Sequence, residues 1–206
     1  MRLRTALNRN IKDERGSFSV EAILMFPLLA WAFLAMYVFF EGLRESNINV
    51  KAAYTVADLL SREQDDVTNE LLIGTQRVYE WLSRSRQPVR LRVSVVTYDD
   101  VTEEHNRLWS REITSEGVGP GLTQADIATV VSPHVPIMAS SAQAIVVESW
   151  STYVPVIEMG LTTTEFYNIV VTAPRFAGQL GIEGLGDNTG LGHDDDTAED
   201  NTIPDT

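Results

Sequence analysis

Ala22-Ile23-Leu24-Met25-Phe26-Pro27-Leu28-Leu29-Ala30-Trp31-Ala32-Phe33-Leu34-Ala35-Met36-Tyr37-Val38-Phe39-Phe40 is a run of 19 residues without one charged side chain. As a helix rising 1.5 Å per residue it reaches roughly 28 Å, close to the hydrocarbon thickness of a bilayer. A buried core helix is the alternative, and a run of this length, apolar on every face, argues against it. A cleaved secretory signal has a shorter apolar core, about 7–15 residues, with a small-x-small site just beyond it. Here Ala30-Trp31-Ala32 lies inside the run and apolar residues continue past it. The run therefore reads as a retained single-span membrane anchor.

The flanks give it an orientation. Before it stand Arg2, Arg4, Arg9, Lys12 and Arg15 against Asp13 and Glu14; after it Glu41, Glu45 and Asp58 face Arg44 and Lys51. The positive-inside rule places the N-terminus in the cytoplasm and everything after about residue 41 outside it. Glu21 sits at the edge of the hydrocarbon, where a carboxylate must pair or reach the interface, and a helix N-terminus favours its charge. Pro27 falls about a turn into the span, where membrane helices tolerate it.

Composition narrows the rest. The chain has 206 residues and a formal net charge of −13, much of it from eight acids between Glu183 and Asp205 with no Lys or Arg among them. No basic stripe exists beyond the leader, which argues against a nucleic-acid partner. There is no cysteine, which excludes disulfides, thiolate catalysis and Cys-ligated zinc.

Past the span the apolar period stays helical. Ile48, Ala52, Val56 and Leu59, with Leu60 beside them, form a stripe on an amphipathic continuation over 42–61, whose polar face holds Arg44, Glu45, Asn49, Lys51, Asp58 and Arg62. Asp65-Asp66-Val67-Thr68 reads as a break and a new cap, and a second helix is predicted near 67–84 with Leu71, Val78 and Leu82 inward, widened by Leu72 and Trp81. From Pro88 the period becomes two: Val89, Leu91, Val93 and Val95 alternate with Arg90, Arg92 and Ser94, a half-buried strand with a charged outer face. Further strands are predicted over 107–113, 144–154 and 165–173, the first pairing as a hairpin. Gly117 to Gly121 reads as a loop, and Thr123 to Val131 as a short helix ending before Pro133. Helices followed by short strands predict an α+β domain with an antiparallel sheet of about four strands. Residues 183–206, glycine-rich and acidic, predict a disordered tail; their Asp run matches no EF-hand spacing.

No catalytic constellation is visible. His105, His134 and His193 have no metal-ligand spacing to one another, and no Gly-x-Ser-x-Gly marks a nucleophile. Glu148, in an apolar strand, reads as a paired structural carboxylate with Arg92 or Arg175 as partner. No cofactor or small-molecule substrate is implied.

One motif adds to this. Arg15-Gly16-Ser17-Phe18-Ser19-Val20-Glu21 places a Gly and a Glu at a fixed offset just before the span. It resembles a type IV prepilin processing site and, more closely, the TadE-like proteins of tight-adherence (Flp) pili. The strings Thr97-Tyr98-Asp99, Leu108-Trp109-Ser110, Val146-Val147-Glu148, Tyr153-Val154-Pro155 and Ala173-Pro174-Arg175 follow in the order that resemblance implies, over about 15–180. Ala22 departs from it, since Flp prepilins commonly carry an aromatic residue after the Glu. The resemblance implies a pilin-like fold and a division into a cytoplasmic leader (1–16), a transmembrane helix (17–41), an exported domain (42–182) and the acidic tail (183–206). It implies cleavage by a membrane prepilin peptidase between Gly16 and Ser17, with Glu21 recognising a neighbouring subunit's new N-terminus. Ala22, Pro27, Ile48, Ala52, Val56 and Leu59 would be the helix-packing positions. Its partners would be the bacterial inner membrane, the peptidase and other pilins or pseudopilins. A membrane-anchored binding or secretion accessory protein with an uncleaved anchor is the competing expectation; a tethered enzyme ranks behind both.

Overall fold

A computed structural model describes residues 14–157, 160–176 and 178–183. The leader up to residue 13 and the tail from residue 184, with His193, lie outside them.

The chain is α+β. A helix of 48 residues, α1 (Glu14–Ser61), carries both the apolar run and its amphipathic continuation without a break, Pro27 included. It starts ahead of the Gly16–Ser17 bond. The second helix, α2 (Asn69–Ser83), turns back beside it. Thr68 caps it by accepting from the Leu71 amide at 3.0 Å. Arg84 ends it in the left-handed region, φ 52°.

The sheet follows: β1 (Arg90–Asp99), β2 (Glu104–Thr114), β3 (Gly117–Pro120), β4 (Gln143–Tyr153) and β5 (Thr164–Thr172). All neighbours are antiparallel, in the order β3-β2-β1-β4-β5. The sheet thus has five strands where about four were expected. The added one, β3, occupies the stretch read as a Gly-rich loop; Gly119 and Pro120 pair with Glu112 and Arg111 at the sheet edge, a place where Pro is tolerated because an edge amide need not bond.

Strand alternation sends two sets of side chains to opposite faces. Leu91, Val93, Val95, Trp109, Ile113, Ile145, Val147 and Val170 meet Ala52, Ala53, Val56, Ala57 and Leu60 of α1 and Leu72 and Tyr79 of α2 in the main core. Three alanines on that face of α1 let helix and sheet approach closely. On the other face Val96, Ala144 and Val146 lie under Leu122, Ile127, Val131 and Val135 in a second cluster. The segment that builds it starts with a Thr123–Asp126 capping box, passes from α3 (Gln124–Asp126) into a π-helical turn (Ile127–Val131), and runs on as a 3-10 turn through Pro133 (Ser132–His134). Gly121 makes the crossover possible: a Cβ there would overlap Ser110. The Ser110 hydroxyl bonds both Ser94 Oγ (2.8 Å) and the Leu122 amide (3.0 Å).

This second layer corrects one expectation: Ser94, assigned to a solvated charged face, is fully buried beneath it. The inward face of α2 is corrected too. Leu72, Thr75, Gln76, Tyr79 and Ser83 point inward, Leu71 and Leu82 flank them, and Trp81 is 78% exposed. Past β5 the chain returns across the end of the sheet. Val67 and Ile182 form a bridge, and the Trp109 indole donates to the Leu180 carbonyl at 2.9 Å.

Candidate functional site

The feature that distinguishes this chain is α1. Its first half touches almost nothing: Phe18, Ile23, Leu24, Phe26, Leu29, Trp31, Phe33 and Met36 are all exposed. So large a bare apolar surface is not stable in water and calls for lipid or other helices around it. Glu21, Ala22 and Pro27 lie on this bare half, exposed. Gly16 and Ser17 have helical backbone. The helix is long and apolar enough to act as a single-pass membrane anchor.

Its second half is a core element of the domain. Ala52 and Val56 are buried as the apolar stripe predicted, while Ile48 and Leu59 sit half-buried at its margins. The centre of the contact is instead Asn49, which the sequence assigned to the polar face and which is 1% exposed. Its Oδ1 accepts from the Tyr79 hydroxyl (3.1 Å) and the Ser151 hydroxyl (2.9 Å), and its Nδ2 donates to the Glu45 carbonyl (3.0 Å). One side chain thus joins α1, α2 and β4. Ser149 Oγ and Asn168 Nδ2 are also buried, with no hydrogen-bond partner among the described residues. Burial raises the Tyr79 hydroxyl above the usual tyrosine range. The positional signal for Asn49 was available: it falls three and four residues before Ala52 and Ala53, on the stripe itself.

The opposite face of the sheet carries a charged network. Glu148 is fully buried, and Arg92 grips it with two bonds: Nε to Oε2 at 2.7 Å and Nη2 to Oε1 at 2.6 Å. The Tyr167 hydroxyl adds a third at 2.8 Å. Arg90 and Arg92 both lie over the Trp150 ring, at 4.0 and 4.9 Å, and Glu112 is 3.5 Å from Arg90. Glu148 is thus a paired carboxylate, and of its two candidate partners Arg92 is the one present. Arg175 pairs with Asp58 at 3.1 Å instead. Burial, then the Glu148 hydrogen bond and charge, push the Tyr167 hydroxyl strongly upward. Both Glu148 oxygens are taken by neighbours on β1 and β5, so the network ties three strands together.

The two described histidines, His105 and His134, are hydrogen-bonded within the fold. His105 Nδ1 lies 3.1 Å from Ser132 Oγ, with its ring against Tyr98; His134 Nδ1 is 3.1 Å from the Val130 carbonyl oxygen. Among the described residues no three His, Asp or Glu side chains converge as metal ligands. An open cavity of about 480 Å³ lies where α1 enters the domain, lined by Glu41, Arg44, Glu45, Arg84, Arg86 and Tyr153 among others. No protein-family model, curated protein or solved structure matches this chain.

Proposed function

We propose that this chain is a membrane-anchored assembly subunit of a tight-adherence (Flp) type IV pilus, a TadE-like minor pseudopilin. In this reading a prepilin peptidase cuts it between Gly16 and Ser17 on the cytoplasmic face of the bacterial inner membrane. The observation that carries the reading is the continuity of α1. One unbroken helix is bare and apolar in its first half and a core element of the domain in its second, so the domain is rigidly coupled to whatever packs around the span. The Gly16-to-Glu21 spacing at the mouth of that helix supports it further.

Cleavage would leave an α-amine on Ser17. Gly at the cut leaves the backbone open to the peptidase's carboxylates. Glu21 would then pair with the α-amine of a neighbouring subunit, which stabilises a carboxylate otherwise expensive at the lipid edge. The partners are other pilins or pseudopilins; nucleic acid, cofactors and small-molecule substrates have no part. Ala22 in place of an aromatic residue favours a second reading: a periplasmic binding or secretion accessory protein whose anchor is never cut.

The N-terminus separates the two. In cells co-expressing an active prepilin peptidase, mass spectrometry of the purified protein should find a chain beginning at Ser17, and Gly16→Glu should restore the leader. An intact Met1 leader, while a control prepilin in the same cells is processed, contradicts the pseudopilin reading and leaves the accessory protein.

A further inference from the structure

The position of the β4–β5 loop along α1 is informative. If α1 spans a bilayer, Glu21 sets one edge of its apolar segment, because a shift toward the N-terminus would draw that carboxylate into hydrocarbon. A span of roughly 28 Å from Ala22 then puts the other edge near Phe40. The domain does not wait for that edge. Val38, inside the run, is 3% exposed. Gly160 lies against Phe39, a Cβ there falling 3.6 Å from its ring, and Leu161 and Tyr153 close on Gly42, where a Cβ would meet Leu161 at 3.2 Å. The loop between β4 and β5 is therefore level with the boundary of the hydrocarbon.

Its outward side chains suit that level. Val156 is 79% exposed, and Val154 and Ile157 are exposed beside it; Phe39, Phe40 and Leu43 are exposed on the adjoining helix. The patch is continuous with the bare surface of α1. The charge of the intervening sequence is a single acid, Glu158, outside the described residues. Next to the loop, the α2–β1 turn brings Arg84 and Arg86 to the cavity shared with Arg44, Glu41 and Glu45. Arg44 pairs with Glu41 at 3.4 Å, whereas Arg84 and Arg86 form no ion pair among the described residues. An apolar tip bordered by arginines, which share the cavity with Glu41 and Glu45, matches the layering of a leaflet, acyl chains below phosphates. The loop's own backbone, needing water or protein partners, holds it at the boundary rather than deeper.

We propose that the stretch directly after β4 is a second, peripheral membrane contact: Val154, Val156 and Ile157 enter the headgroup–acyl boundary of the leaflet from which α1 emerges, with Arg84 and Arg86 at the phosphates. The occupant of the patch is lipid. This rests on the anchor reading of α1 and goes beyond it, since a span alone leaves the domain free to tilt and two contacts fix its pose.

The chain has no cysteine, so single-cysteine variants of the full chain report without background. Val156→Cys, Val101→Cys and Phe33→Cys would each carry an environment-sensitive NBD label, in vesicles of phosphatidylethanolamine and phosphatidylglycerol with lipid spin-labelled near the headgroup for positions 156 and 101 and mid-chain for position 33. Val101, 87% exposed on the β1–β2 turn, lies at the far end of the sheet. The expected result is quenching at positions 33 and 156, at 156 roughly twofold or more above that at 101. Quenching at 33 with a solvent-like signal at 156 overturns the loop contact and leaves the anchor. No quenching at 33 overturns the anchor itself. A label at 156 shielded from both lipid quencher and aqueous iodide means that protein covers the loop, which also overturns the proposal.

Discussion

Replacing Arg92 by alanine is expected to destabilise the protein by about 3–5 kcal/mol, the largest effect of any single surface-to-core change in the sheet. The physical reason is the orphaned partner. Glu148 is fully buried between β1 and β5, and Arg92 supplies two of its three hydrogen bonds. Without the guanidinium a carboxylate stays in the interior with only the Tyr167 hydroxyl. Glu148→Gln is expected to cost less, because Arg92 keeps the Trp150 face and a Glu112 oxygen at 4.0 Å. Arg92→Met combined with Glu148→Leu should return to within about 1 kcal/mol of the parent, since an apolar pair of similar volume removes both the charges and their desolvation. Urea unfolding of the full chain in detergent, followed by tryptophan fluorescence, reads all three. If Arg92→Ala costs under about 1 kcal/mol, the network is not the clamp described.

The second expected result concerns the seat of the helix. Asn49→Leu should cost about 2–4 kcal/mol, because it strips the acceptor from two buried hydroxyls, Tyr79 and Ser151, at once. Simple loss of packing would predict the reverse, a gain from an added apolar side chain on an otherwise alanine-rich stripe. Adding Tyr79→Phe and Ser151→Ala to Asn49→Leu removes the orphaned hydroxyls and should recover most of the loss in the same unfolding assay. A triple variant no better than Asn49→Leu would mean that side-chain shape, and not hydrogen bonding, sets the α1–α2–β4 junction.

Both networks mark the boundary of what a sequence shows. The apolar run, the helical stripe through Ala52 and Val56, and the alternation Leu91-Val93-Val95 are patterns of hydrophobicity, and the structure bears each out. Glu148 was legible as a paired carboxylate because a charge in an apolar strand demands a partner; choosing Arg92 over Arg175 required the register that places Arg92 opposite Glu148. Asn49 and Gln76 were not assigned to the core because hydrophobic periodicity counts polar side chains as surface, even though Asn49 falls on the stripe. They are buried by partners distant in sequence, as when Gln76 Nε2 donates to the Val89 carbonyl at 2.9 Å. That is why the inward face of α2 was assigned to Leu71, Val78 and Leu82, widened by Leu72 and Trp81, when it is centred on Leu72, Gln76 and Tyr79. The β3 strand was hidden for a related reason. Gly117 to Pro120 has turn composition, and only pairing with the β2 edge makes it a strand. Of the residues that carry the resemblance, Gly16 and Ser17 lie near the start of α1 and Glu21 on its bare half.

The proposed role requires that α1 hold the domain outside the cytoplasm. A Val101→Cys variant of the cysteine-free chain tests this directly, because the β1–β2 turn that bears residue 101 is exposed and remote from the span. Spheroplasts would be treated with a membrane-impermeant maleimide before and after lysis, and their membranes washed with alkaline carbonate. The predicted result is a protein that stays in the washed membrane pellet and whose cysteine is labelled in intact spheroplasts. Release into the carbonate wash, or labelling only after lysis, would contradict it.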